Sequence, residues 1–224
     1  MDRRRFLGKA ALGLVGLGLA VEAGCRSKQT AEVLKPGDPG MVGSHAAGGE
    51  TYKPLVEAAV ANLLARHSGS GVQQASLNQQ GPPPLRICFV AVENKSVEEM
   101  RDFKEQIYQQ IDTRIVQSQV FQCISRRFVD QGLQQTGLRP DSLFIPENMR
   151  TFTAAMEQMG QPFDYLLYAT LTSGTTQSNK DYQRDYLLTL ELVNVRTGQN
   201  DKESAQLSKG YNVSAGAKLT HLFD

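Results

Sequence analysis

The 224-residue sequence has no tryptophan, three histidines and three cysteines, and only 7% of it is aromatic. The histidines His45, His67 and His221 stand far apart and no HExxH occurs, whereas a zinc site needs three or four clustered ligands. There is no GxSxG elbow and no SxxK beside a KTG; the SKG at 208–210 is a polar run at the side of a turn. Gly69 and Gly71 of GSGV sit in polar sequence, with neither a preceding strand nor a following P-loop lysine. Glu98 and Glu99 fall at the start of an expected helix, where acids are favourable without any catalytic role. Met149, Met156 and Met159 have the spacing of a helix core rather than of a metal site. No catalytic constellation, metal site or cofactor motif follows, and the expectation is a non-enzyme with no cofactor and no small-molecule substrate.

A long hydrophobic run is also missing. The longest apolar stretch, Ala10–Val21, is twelve residues and contains three glycines, while a bilayer span needs about 20. Charge of one sign is not in excess either. Of the 24 basic and 23 acidic residues, four basic and two acidic fall in the first 24 positions, which leaves the remainder near neutral. That balance removes the electrostatic case for nucleic-acid binding.

What the N-terminus does hold is an ordered export signal. Arg3, Arg4, Arg5 and Lys9 precede the apolar run, and the small residues Ala23 and Gly24 follow it. Arg3 and Arg4, with Phe6 and Leu7 after them, resemble a twin-arginine export motif. Gly24-Cys25 resembles the end of a bacterial lipobox, in which Cys25 would be acylated. Glu22 stands where such motifs usually carry leucine, and Val21-Glu22-Ala23 also fits an ordinary signal-peptidase site that frees Gly24. Both processing outcomes stay open. One gives a lipid-anchored chain and the other a soluble exported one.

Residues 1–24 are therefore read as the export signal, 25–50 as a polar, glycine-rich tether, 51–66 as an amphipathic helix, 67–83 as a second flexible linker and 84–224 as a globular domain. A coil of about 25 residues spans roughly 25–30 Å. Thr51 is placed as the cap of a helix whose stripe is Tyr52, Leu55, Val56, Ala59, Val60 and Leu63. That helix either packs on the domain or serves a partner.

Leu85–Glu93 reads as an interior strand, with Leu85, Ile87, Phe89 and Ala91 on one face and Cys88, Val90 and Val92 on the other. Met100, Phe103, Ile107, Ile111 and Ile115 recur at helical spacing to about Gln119. VFQCI is a short second strand, SRRFVDQGLQQTG a helix ending at Gly137, and the stretch from Met149 to Met159 a helix stopped by Gly160. Three antiparallel strands then follow in YLLYATLTSG, DYQRDYLLTLELVNVRTG and DKESAQLSKG. The expected fold class is α+β, with a mixed, mostly antiparallel sheet of about four strands and helices mainly on one side. Cys88 and Cys123 lie in apolar, strand-like sequence and read as buried free thiols, with a disulfide between them as the alternative.

The order VAVENKSVEEM, long amphipathic helix, FDYLLYATLTSG and YQRDYLLTLELVNVRTGQ resembles the LpoB-type penicillin-binding protein activators over residues 83–212. The resemblance implies a fold like the N-terminal domain of TolB and the core of CsgG-type secretion lipoproteins. It further implies a lipoprotein on the periplasmic side of the outer membrane. From there it would bind and stimulate a bifunctional penicillin-binding protein, a glycosyltransferase–transpeptidase. A CsgG-like secretion or assembly component and a general envelope scaffold are the alternatives. The candidate partner-binding residues are Asn94, after the first strand, and Tyr182, Arg184, Asp185 and Tyr186 at the start of the hairpin, on the wet side of the sheet. Tyrosine and arginine are common interface anchors.

Overall fold

The computed structural model describes residues 47–72, 84–100, 102–178 and 181–212. The order of elements is α1 (Gly49–Val72), β1 (Arg86–Lys95), α2 (Phe103–Ser118), β2 (Gln122–Cys123), α3 (Arg126–Thr136), a 3₁₀ turn (Pro140–Phe144), α4 (Pro146–Gln158), β3 (Tyr165–Ser178), β4 (Asp181–Asn194) and β5 (Asn200–Asn212). The class is α+β, with one five-stranded sheet in the order β2-β1-β3-β4-β5. β1 runs parallel to β2 and β3, and β3, β4 and β5 are antiparallel.

Strand alternation splits the core in two, and helices cover both faces rather than mainly one. On one face Ile87, Phe89, Leu167, Ala169, Leu188, Leu190 and Leu192 pack against α1 and α2. On the other, Cys88, Val90, Leu166 and Tyr168 pack against Val129, Leu143, Phe152 and Met156 of α3, the 3₁₀ turn and α4. The simple alternation expected along β1 fails at its centre. The register with β3 shifts between Phe89 and Ala91, a bulge at Val90. Val92 therefore joins Ile87 and Phe89 in the first cluster, while Ala91 packs on the second.

α1 is part of this core. Tyr52, Leu55, Val56, Ala59, Val60 and Leu63 are all buried in the first cluster. At roughly 1.5–3 kcal/mol for each large apolar side chain, their burial is comparable with a domain's whole net stability of about 5–15 kcal/mol. The helix is thus a structural layer, not a detachable arm. It runs past the expected 51–66, so the stretch read as a linker from residue 67 begins as helix. Thr51 does not cap it. The Gly48 carbonyl accepts from the Thr51 and Tyr52 amides, and the Thr51 hydroxyl donates to Glu50.

Candidate functional site

β3 and β4 carry the candidate hairpin residues to the end of the sheet where β1 finishes. In the register, Ser173 faces Tyr186, Gly174 faces Asp185 and Thr175 faces Arg184. Side chains two apart on a strand share a face, so Arg184 and the buried Tyr186 both point to the side covered by α1 and α2, not to the wet side. There they meet Glu98. Arg184 Nη1 is ion-paired to Glu98 Oε1, Tyr186 Oη donates to the same oxygen at 2.9 Å, and Arg184 Nε donates to Thr175 Oγ1 at 3.3 Å. Burial alone would lower the Arg184 guanidinium, but Glu98 and Tyr186 beside it hold it above its ordinary value.

Glu98 lies in the β1–α2 connection, five residues before α2 begins, so its carboxylate does not serve the helix start. Asn94 builds the turn that delivers it. Its Oδ1 accepts from the Ser96 amide at 3.0 Å and the Ser96 hydroxyl at 2.6 Å, and its Nδ2 donates to the Glu98 carbonyl at 2.6 Å. The Val97 amide then donates to Ser173 Oγ at 3.1 Å, which ties the turn to β3. Asp185 stands on the opposite face. There the Ser208 hydroxyl and the Gln183 amide donate to its carboxylate and hold it below the usual range. The Tyr182 backbone pairs with Gln177 and Tyr211, and its side chain is outside the described ones. Cys25 and the export-motif residues Arg3, Arg4, Phe6 and Leu7 also lie outside the described residues.

A second cluster was not expected from the sequence. β2 pairs with β1 only at Arg86 and Ile87, and where it stops, Tyr108 Oη donates to the Phe89 carbonyl at 2.9 Å. The Tyr108 ring stacks on Phe89 at 4.2 Å, and the Arg126 guanidinium sits 4.2 Å above the Tyr108 ring while pairing with Glu105. Arg126 thereby separates two hollows of about 380 and 480 Å³, the second reaching Cys123 and Asp112. Burial pushes the Cys123 thiol up to about 12, and it pushes Cys88 and the Tyr108 hydroxyl higher still. Protonated thiols are poor nucleophiles, so Cys123 is not an activated thiol. Among the described residues, no cluster of His, Cys, Asp and Glu could hold a metal ion.

Cys88 and Cys123 are both free. They sit on neighbouring strands, but Cys88 packs into the second core cluster and Cys123 against the first. Their side chains leave opposite faces of the sheet, and a disulfide needs Cβ atoms about 3.5–4.5 Å apart.

The family model described as peptidoglycan-synthase activator LpoB matches residues 53–200. Among solved structures, the LpoB C-terminal domain from Escherichia coli is 16% identical with a TM-score of 0.44, covering 67% of this chain and 96% of that one. The LpoB C-terminal domain from Salmonella enterica is 14% identical with a TM-score of 0.43, covering 72% and 98%. Lipoprotein GNA1162 from Neisseria meningitidis is 21% identical with a TM-score of 0.42, covering 62% and 92%. No curated protein matches the chain at comparable significance.

Proposed function

The chain belongs to the LpoB family of peptidoglycan-synthase activators, and we propose that it binds a bifunctional penicillin-binding protein and stimulates it without chemistry of its own. The observation that carries this reading is the extent of the family match. Residues 53–200 run from the first turns of α1 to the first residue of β5, so the match takes in both core clusters rather than one motif.

A protein that works this way acts by differential affinity. It must bind the active conformation of the synthase more tightly than the resting one. A tenfold shift in that equilibrium requires about 1.4 kcal/mol of difference, which a few well-placed contacts supply. We place the domain on the periplasmic side of the outer membrane, held by an acylated Cys25. Among the described residues no helix is long and apolar enough to cross a membrane.

The test is capture of a tagged chain from detergent-solubilised envelopes, with penicillin-binding proteins detected by a fluorescent penicillin. Enrichment of a bifunctional penicillin-binding protein is the expected result. Recovery of none overturns the reading.

A further inference from the structure

Where the 3₁₀ turn meets α4, large apolar side chains face outward. Phe144 is 40% exposed and Ile145 56% exposed. Phe144 stands edge-on to Tyr168, with ring centroids 5.1 Å apart. Together with Met149 and Val193 it borders a hollow of about 480 Å³ between α4 and the β4–β5 turn. Both walls are stiff. Ile145 is the N-cap of α4 and Pro146 its first residue, which presets the backbone there. In the turn, Asn194 Oδ1 accepts from the Arg196 and Thr197 amides, each at 3.0 Å, and the Gly198 amide donates to the Asn194 carbonyl at 2.8 Å.

The rim carries one sign of available charge. Arg150 lines the hollow and has no ion-pair partner among the described residues. Arg196 reaches Asp164 at 3.2 Å, yet its side chain is 76% exposed, and such surface pairs contribute little. The carboxylate nearest the hollow, Glu191, is engaged by Lys202 at 3.1 Å and by the Asn200 amide. An apolar floor with two arginines on its edge is the pattern of an interface centre, in which a buried anchor is flanked by charged contacts.

We infer that this hollow is the docking site for the synthase, and that it receives a segment presenting an apolar side chain flanked by carboxylates. The inference rests on the function proposed above. It places the partner beside α4 and the β4–β5 turn, away from the Glu98–Arg184–Tyr186 cluster, whose groups are joined to one another.

The experiment is a titration of the full mature chain against the purified bifunctional synthase, using wild type, Arg150→Glu/Arg196→Glu, which reverses both arginines that line the hollow, and, as a control on the exposed side of α2, Val116→Ser. Both arginines are exposed, and exposed charges contribute little to stability, so the double variant should stay folded, which a melting curve checks. The inference expects the double variant to bind at least tenfold more weakly, Val116→Ser to bind as wild type does, and added salt to weaken wild type more than the double variant. A folded double variant that binds within twofold of wild type overturns the docking site and leaves the proposed function standing. Absence of wild-type binding overturns the proposed function and the docking site with it. Concentration-dependent self-association of the chain alone, lost in the double variant, would assign the hollow to a second copy and so overturn the inference.

Discussion

Tyr186 and Arg184 share one oxygen of Glu98: the tyrosine hydroxyl donates to it at 2.9 Å and the guanidinium is paired with it. Glu98 comes from the β1–α2 connection and its partners lie 88 and 86 residues later on β4. The contact therefore closes the end of the sheet over the first core cluster.

Removing Glu98 is expected to destabilise the domain. Glu98→Ala removes the carboxylate that the Arg184 guanidinium and the buried Tyr186 hydroxyl both bind, a loss of roughly 1–3 kcal/mol. Arg184→Glu sets a second carboxylate against Glu98 and is expected to lower stability rather than only to weaken binding. Urea denaturation of both variants checks this. A pair of midpoints equal to that of wild type would contradict the role given to the cluster.

Gly132 sits in α3 where α4 crosses it. A Cβ there would stand 2.8 Å from Met156 Sδ and 3.0 Å from Phe152 Cε2. Helix propensity alone predicts that Gly132→Ala stabilises by about 1 kcal/mol. Overpacking of about 1–3 kcal/mol outweighs it, so the expected outcome is a lower melting temperature. A higher one would show that Met156 moves aside freely.

Burial raises the Asp112 carboxyl above its ordinary value, while the bond with the Cys123 thiol opposes this. A carboxyl whose folded pKa is raised weakens the fold when charged. That penalty is full at neutral pH and disappears as pH falls through the raised value toward the unfolded one. Asp112→Asn is therefore expected to raise the melting temperature at pH 7 and to match wild type near pH 3. A gain that persists unchanged in acid would contradict the assignment.

Cys88 and Cys123 are expected to remain unlinked in protein held under oxidising conditions, with the Cys88 thiol reacting with maleimide only on unfolding. Mass measurement with and without alkylation checks the pair. The same spectrum reads the N-terminus, where an acylated Cys25 is expected and an unmodified Gly24 start would assign soluble export.

Most elements were legible because their periodicity is strong. The stripe from Ile107 to Ile115 appears as the buried face of α2, and the alternation from Tyr186 to Leu192 as the inner face of β4. What stayed hidden depended on tertiary contact. The bulge at Val90 leaves no mark in a strand that is apolar on both sides. The helical end of α1 reads as linker because serine and glycine favour turns. In the structure, however, His67 meets Asp201 at 3.0 Å and packs near Phe121 and Tyr165. Asn94 and Arg184 drew attention by residue type, but their partners could be seen only after the chain had folded. The hollow beside Phe144 gave no local signal, because its two walls are about fifty residues apart.

The central claim is stimulation of a peptidoglycan synthase, and the most direct measurement is the rate of glycan-chain polymerisation by the purified bifunctional enzyme with and without this protein. The account predicts a severalfold faster rate that saturates with added protein and declines in Arg150→Glu/Arg196→Glu at the same concentration. A rate that does not change at saturating, binding-competent protein would contradict it.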